Sequence, residues 1–170
     1  MEQHHLIQIK GISHASKDLQ NARVSERQAH SAQIMLAKKF NVPVRITSEY
    51  RDTLPTGSGI TLWAIFSGNM DDIDENNPIR IGADALGEQG KKSEIVGQEA
   101  AQSLIKEIES KAPAGRHLAD QMLIFMALIG NSKIRTSEIT SHCRTNTHTI
   151  SHFLSDILKI YEEERIIQSE

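Results

Sequence analysis

A histidine stands close to the expected start of a helix, in residues 141–146, where the sequence reads SHCRTN. Thr145 or Asn146 is a natural N-cap, so the pattern predicts that His142 lies in the turn just before that helix. The free N–H groups and positive dipole of a helix start favour a phosphate, and Arg144 could bind the same anion. The same dipole disfavours an imidazolium, which would keep His142 neutral and nucleophilic near pH 7. An ordinary capped turn with an exposed histidine is the alternative.

A second group of candidates opens the preceding helix, with His117, Asp120 and Gln121 in the sequence HLADQ. An acidic residue in the first turn of a helix ordinarily complements the helix dipole. Asp120 could instead hold a Mg²⁺-bound water or a ribose, and the Gln121 amide could read a base. The residues alone leave both interpretations open.

Other residue types with catalytic potential form weaker patterns. His148 and His152 have the spacing of metal ligands on a helix, but no third ligand is evident, so we predict a solvated pair and no metal site. Cys143 has a histidine as its neighbour, but adjacent side chains rarely point at each other, so no nucleophile–base pair is expected. The glycine-bearing stretches 57–59 and 87–92 could cradle a phosphate, but they lack Walker spacing and are expected to be turns.

The composition limits the classes of function. The chain has 170 residues, with 19 Lys and Arg against 22 Asp and Glu, for a net charge of −3 with histidine neutral. That balance excludes nucleic-acid binding through net charge alone and leaves a local basic site possible. The single cysteine fits a reducing compartment, and the longest apolar run, residues 122–130, is too short to cross a membrane. The start of the chain shows no signal-peptide pattern, so we predict a cytoplasmic protein with no membrane partner.

The first 110 residues are expected to form a small domain of two layers. Ser25 and Gln28 indicate a capping box for its first helix. Pro43 predicts that the second strand is at an edge or that Pro43 is among its first residues. Residues 68–78 are expected to be an acidic loop. The fold class is therefore α+β, with a β-α-β-β-β-α order. Periodicity and turn signals predict, in order, a strand at 6–12, a helix at 24–40, a strand at 42–46, strands at 60–66 and 79–83, and a helix at 95–110.

Residues 111–115 (KAPAG) mark a boundary, so the domains are expected to be 1–110 and 111–170. Two strands do not make a stable sheet, so the α-β-α-β segment after the boundary should dock on the first domain, on another copy or on a missing part of a larger sheet. The predicted elements are a helix at 117–129, a strand at 134–139, a helix from the 141–146 turn to about 161, and a strand at 165–168. The apolar face of the last helix is predicted to consist of Ile150, Phe153, Leu154, Ile157 and Leu158.

Several short motifs, taken in order, resemble the RNA 3′-terminal phosphate cyclase family, and the archaeal branch in particular. The resemblance covers about residues 6–160, nearly the whole chain. The motifs are GISHA at 11–15, VSERQA at 24–29, GSGITLWA at 57–64, GADALGEQGK at 82–91, HLADQ at 117–121, and His142 with Asn146.

The resemblance implies an activity, its cofactors and its site residues. Family members use ATP and a divalent metal such as Mg²⁺ to convert an RNA 3′-phosphate end to a 2′,3′-cyclic phosphate through a covalent histidine–AMP intermediate. The nucleophilic histidine of the family matches His142. Its nucleotide-pocket helix matches His117, Asp120 and Gln121, with the His117 ring placed to stack on adenine. The inserted small domain of the family, with a thioredoxin-like element order, matches about residues 6–110.

The resemblance also implies that the amino-terminal half of the family's catalytic domain is absent from this sequence. We therefore expect this chain to supply the nucleophile and to be inactive, or nearly so, without that half. A non-catalytic scaffold relative in ribosomal RNA processing is one alternative, although such relatives are expected to lack the nucleophile. A free-standing interaction module that self-associates is another.

Overall fold

The computed structural model describes residues 3–68, 79–154 and 157–170. Two compact units divide the chain, one of residues 4–109 and one of residues 110–170 together with Gln3. Both units combine helices with strands, which confirms the α+β class. No helix in the described ranges has the length and apolar character needed to cross a membrane.

The first unit has the predicted β-α-β-β-β-α order. Its sheet runs β2-β1-β3-β4, with β1 parallel to β2 and the other neighbours antiparallel. The second strand is at an edge, as Pro43 predicted. The predicted acidic loop lies outside the described residues, apart from Gly68. The elements are β1 His5–Ser16, α1 Val24–Lys39, β2 Val44–Arg51, β3 Ser58–Ser67, β4 Ile79–Leu86 and α2 Ser93–Glu109, with a short 3₁₀ turn at Lys17–Leu19.

The core of the first unit joins the sheet to both helices. Alternate side chains of β3, among them Leu62 and Ala64, are buried with Leu36 of α1 and Leu104 of α2. The helices approach each other so closely at Gly97 that a Cβ there would lie 2.2 Å from the Gln28 carbonyl oxygen. Only glycine fits this crossing, because any Cβ would overlap the facing backbone.

The predicted capping box of α1 is wrong. The helix begins at Val24 after Arg23, which has a left-handed φ of 51° and makes no side-chain cap. The Ser25 hydroxyl instead donates to the Ser13 carbonyl oxygen at 2.7 Å. The Gln28 side chain is likewise drawn into a tertiary network described below, because both residues face the sheet and are fully buried.

The second unit has one more strand than predicted. The last helix ends at Leu154 instead of continuing to about residue 161, and Leu158–Tyr161 is a strand. Burial alternates along this segment, with Leu158 and Ile160 turned inward and Lys159 and Tyr161 exposed, which is strand periodicity. The elements are α3 Arg116–Ile129, β5 Lys133–Arg135, α4 Ser141–Leu154, β6 Leu158–Tyr161 and β7 Ile166–Ser169. The strands form an antiparallel sheet in the order β5-β7-β6. The strand predicted at 134–139 is shorter than expected, because β5 ends at Arg135.

The core of the second unit lies between α3, α4 and β7. Leu123, Cys143 and Ile167 are fully buried in it. Phe153, which we predicted on the apolar face of α4, is 82% exposed. Cys143 and Ile150 define the buried stripe of α4. At 3.6 residues per turn, Phe153 lies about 60–80° to the side of that stripe.

Candidate functional site

His142 lies in the first turn of α4, exposed to solvent. The helix begins at Ser141, and the Thr140 hydroxyl caps it by accepting a hydrogen bond from the Cys143 N–H at 3.0 Å. The predicted cap at Thr145 or Asn146 is therefore wrong, because Thr140 fills the capping position earlier in the chain. His142 is inside the helix instead of before it, and it remains at the end where backbone N–H groups lack helical acceptors.

Arg144 does not face an anion site. Its guanidinium donates to both carboxylate oxygens of Glu162, at 2.8 and 2.9 Å. The Glu162 carboxylate raises the pKa of Arg144, and the guanidinium lowers the pKa of Glu162 in turn. The expectation that Arg144 would share an anion with the helix start is not met in this structure, because the side chain is committed to a bidentate ion pair.

Asp120 connects α3 to the first turn of α4. Its Oδ1 atom accepts a hydrogen bond from the Thr140 hydroxyl at 2.7 Å and another from the Cys143 thiol at 2.7 Å. Burial of Cys143, followed by the hydrogen bond to Asp120, raises the pKa of the thiol. The thiol is therefore a protonated donor and not a nucleophile, and Asp120 fixes the helix start that carries His142.

A cavity of about 510 Å³ lies between α3 and α4 and brings three predicted site residues together. Asp120 and Gln121 line it from α3, and His142 lines it from α4. The other lining residues are Leu123, Ile124, Asn146, Thr149 and Ile150. An imidazole, a carboxylate and two carboxamides around one small space can bind and react with a polar ligand such as a nucleotide.

His117 does not line this cavity. It is exposed in the first turn of α3, four residues before Gln121, and the Arg116 Nε atom donates to its Nε2 atom at 3.4 Å. Residues four apart lie on the same side of a helix, so His117 is one turn from the cavity. Its role in stacking on a base stays a prediction.

Two cavity residues were not predicted as ligand contacts, Asn146 and Thr149. The signal was available in their spacing. Once the helix begins at Ser141, positions 142, 146 and 149 follow the i, i+4, i+7 pattern of one helix face. The misplaced N-cap hid this relationship, because it put His142 and Asn146 on opposite sides of a helix boundary.

The histidine pair of α4 is separate from the cavity. The rings of His148 and His152 meet edge to face with centroids 4.6 Å apart, and both residues are exposed. The described ranges contain no group of three or more His, Cys, Asp and Glu side chains that could hold a metal ion. Among the residues that line the cavity, Asp120 supplies the only carboxylate, and its Oδ1 atom already accepts two hydrogen bonds.

The chain thus has two parts, a compact α+β unit of residues 4–109 and a second unit that carries the cavity between α3 and α4. Residues 1–109 match the family model described as RNA 3′-terminal phosphate cyclase (RTC), insert domain. The chain belongs to the RNA 3′-terminal phosphate cyclase family, and the resemblance found in the sequence is confirmed.

Curated archaeal relatives match nearly the whole chain. The RNA 3′-terminal phosphate cyclase of Thermococcus onnurineus is 37% identical over 163 residues, which are 96% of this chain and 44% of that protein. That of Sulfurisphaera tokodaii is 40% identical over 168 residues, 98% of this chain and 46% of that protein. That of Methanosarcina acetivorans is 38% identical over 167 residues, 98% of this chain and 42% of that protein. The chain therefore spans less than half the length of these relatives.

Proposed function

We propose that this chain carries the nucleophile of an ATP-dependent enzyme that converts RNA 3′-phosphate ends to 2′,3′-cyclic phosphates. The observation that supports this most directly is the cavity that His142 lines together with Asp120 and Gln121. Membership in the RNA 3′-terminal phosphate cyclase family names the reaction class. The exposed position of His142 leaves its ring accessible to a substrate.

The reaction would pass through an adenylylated His142. A ring nitrogen attacks the α-phosphorus of ATP, the bond to the β-phosphate oxygen breaks, and pyrophosphate leaves. An oxygen of the RNA 3′-phosphate then attacks the same phosphorus, and the P–N bond breaks. The neighbouring 2′-hydroxyl finally attacks the activated 3′-phosphate, expels AMP and loses its proton. Covalent catalysis of this kind divides one difficult step into easier ones.

The chain's own residues would hold ATP and prepare the histidine. The free N–H groups and the dipole at the start of α4 favour the negative charge of the α-phosphate beside His142. The carboxamides of Gln121 and Asn146 line the same cavity and offer hydrogen bonds to a base or ribose. The His117 ring, one turn away on α3, would stack on the adenine.

The divalent metal that the family resemblance implies would find a single carboxylate, that of Asp120, among the residues that line this cavity. One carboxylate lines the cavity, and its Oδ1 atom is engaged by Thr140 and Cys143. Magnesium is held in proteins by one or two carboxylates together with substrate phosphates and water. The described side chains do not build such a site by themselves, and no step above depends on a metal.

We also propose that the activity of this chain needs a second polypeptide. Because the chain spans less than half the length of its relatives, we expect it to lack groups that the full site uses. It would be inactive alone and active with a polypeptide that corresponds to the amino-terminal half of a relative. The cytoplasmic location expected from the single cysteine stays a prediction.

Labelling with ATP tests both parts. The chain is incubated with α-³²P-ATP and a divalent metal, alone and with the complementary half, and acid-labile protein-bound label is measured. We expect no label alone, label with the complement, and none with His142→Asn. His148→Asn, an exposed histidine on the same helix, is the matched control and should label normally. Label that persists in His142→Asn would overturn the assignment of the nucleophile.

One observation favours an interaction role as a second candidate. Large apolar side chains are exposed along α3, among them Phe125, Leu128 and Ile129. A patch of this kind marks a binding surface, either for the missing half or for a second copy of the chain. The mass of the chain in solution separates the two, because a monomer at micromolar concentration excludes stable self-association.

A further inference from the structure

We propose that the first unit has a ligand site of its own, which binds a small phosphate ester. A cavity of about 570 Å³ lies at the end of the sheet where β3 begins and β4 ends. Two glycine-bearing loops border it, one at Thr56, Gly57 and Ser58 and one at residues 87–91. This site lies outside the proposed catalytic cavity, because all of its lining residues belong to the first unit.

The cavity is built on a fixed polar floor. Gln28 lines it and is 0% exposed. Its Oε1 atom accepts a hydrogen bond from the Ser13 hydroxyl at 2.9 Å, and its Nε2 atom donates to the Ser58 hydroxyl at 2.9 Å. Both ends of the Gln28 carboxamide are thus engaged by protein partners, so the floor holds its shape without a ligand.

Ser93 lines the same cavity with a hydroxyl that has no protein partner. Its residue is only 6% exposed, and its hydroxyl forms no hydrogen bond with any residue in the described ranges. Such a hydroxyl can donate to a group that enters the cavity. An acceptor oxygen supplied by a ligand would satisfy this donor.

The start of α2 adds backbone donors beside that hydroxyl. Ser93 is the first residue of the 17-residue helix, and the first N–H groups of a helix have no acceptor within it. The loop before it turns sharply, with the Lys91 N–H donating to the Glu88 carbonyl oxygen at 3.0 Å and Gly90 at a φ of +83°. A Cβ at Gly87 would lie 2.1 Å from the Ser58 hydroxyl and 3.3 Å from the Ser58 carbonyl oxygen, so the chain passes close to the start of β3 at this glycine. A group with several acceptor oxygens and negative charge matches these donors, which is the chemistry of phosphate.

The remaining walls indicate an ester instead of the free ion. Leu19, Val24 and Val96 line the cavity with apolar surface, and its volume is that of a small-molecule site. Charge contributes little, because Lys91 is paired with Glu99 and Glu88 lines the cavity with the opposite sign. Glu88→Gln should therefore tighten binding of a phosphate ester.

Residue-resolved NMR of the full 170-residue chain tests the site. AMP is the phosphate ester, inorganic phosphate the free anion and adenosine the ligand without phosphate. We expect AMP to shift the backbone amides of residues 87–94 saturably, phosphate to shift them more weakly, and adenosine to leave them unchanged. Ser93→Ala should weaken AMP at these residues by about tenfold, as expected for a lost hydrogen bond to a charged group. Ser103→Ala, on the same helix and outside this cavity, is the control.

Several other results would decide whether this cavity binds a phosphate ester. Equal shifts with adenosine, or no shift at residues 87–94 at millimolar AMP, would overturn the proposal. So would unchanged AMP binding in both Ser93→Ala and Glu88→Gln. Because AMP could also enter the catalytic cavity, shifts at Gln121 and Asn146 are read separately. Shifts at Gln121 and Asn146 without shifts at 87–94 would overturn this site and leave the proposed function intact. Shifts at 87–94 without shifts at Gln121 and Asn146 would support this site alone.

Discussion

The Asp120 carboxylate accepts a hydrogen bond from Thr140, the residue that caps the next helix, across 2.7 Å. The same oxygen atom accepts a hydrogen bond from the Cys143 thiol. One side chain of α3 thus determines where α4 begins and how its first turn, with His142, faces the cavity. The sequence suggested Asp120 as a ligand to ribose or to a Mg²⁺-bound water. The structure shows that it also holds the first turn of α4 in place.

Removing the Asp120 carboxylate should loosen the second unit. Asp120→Ala leaves the Thr140 hydroxyl and the Cys143 thiol without their acceptor, and we expect a loss of about 1–3 kcal/mol in the free energy of unfolding. Asp120→Asn keeps an acceptor oxygen and should lose less. Urea denaturation followed by circular dichroism measures the loss, and Gln121→Ala, exposed on the same helix, is the control. Equal stability of Asp120→Ala and Gln121→Ala would contradict the assignment.

The cap of α4 gives a direct comparison between two threonines. Thr140→Ala removes the acceptor for the Cys143 N–H and should cost about 1 kcal/mol of stability, whereas Thr140→Ser should cost little. Thr145 is exposed inside the helix, so Thr145→Ala should be neutral or slightly stabilising. Thermal unfolding of the three variants checks this, and a larger loss for Thr145→Ala would restore the cap expected from the sequence.

The Cys143 thiol makes stability fall at alkaline pH. Its pKa in the folded chain lies above the ordinary value of 9.0, because burial and the Asp120 carboxylate disfavour the thiolate. The unfolded chain therefore releases this proton first. The contribution is fully present below the ordinary thiol pKa and is lost as pH rises toward the raised one.

Cys143→Ser isolates this effect, because serine keeps a donor for Asp120 and does not titrate in the same range. Urea denaturation of both proteins from about pH 7 to about pH 10 gives the difference in their free energies of unfolding. We expect the difference to be constant at the low end and to shift against the wild-type chain at the high end. A difference that stays constant over the whole series would show that the thiol is not shielded as described.

The crossing of α1 and α2 should tolerate no side chain at Gly97. Gly97→Ala would place a Cβ against the Gln28 backbone, and we expect a loss of about 1–3 kcal/mol from overpacking. Gly57→Ala is the matched control, since nothing lies within 4 Å of its Cβ position. Urea unfolding followed through Trp63 fluorescence reports on the first unit, because this tryptophan lies on β3. Equal midpoints for the two variants would refute the close approach.

Sequence periodicity predicted most of the first unit because its elements are long and well punctuated. The continuous apolar run of β3 and the three- and four-residue steps of α1 and α2 required no tertiary information. The prediction was wrong where a polar side chain can form either a local hydrogen bond or a tertiary one. Ser25 and Gln28 fit a capping box locally, but the sheet offered them buried partners in Ser13 and Ser58.

The site shows the same limit. The motif positions of Asp120, Gln121 and His142 could be predicted, and the structure brings all three to one cavity. The residue at which α4 begins could not be predicted, because Thr140, Thr145 and Asn146 are all acceptable caps by residue type. The Asp120 carboxylate on another helix stabilises the first of them, and no local pattern contains that information. The strand at Leu158–Tyr161 is a different case, because it forms a hairpin with the next strand, Ile166–Ser169, and the predicted helix overlooked this local signal.

The burial of Cys143 makes the chain its own conformational reporter. It is the single cysteine of the sequence, it is fully enclosed, and its thiol is held in the unreactive protonated form. A thiol-specific reagent can modify it only when the packing between α3 and α4 transiently opens. The alkylation rate of the unmodified protein therefore measures how often the helix start beneath His142 comes apart, without any engineered label.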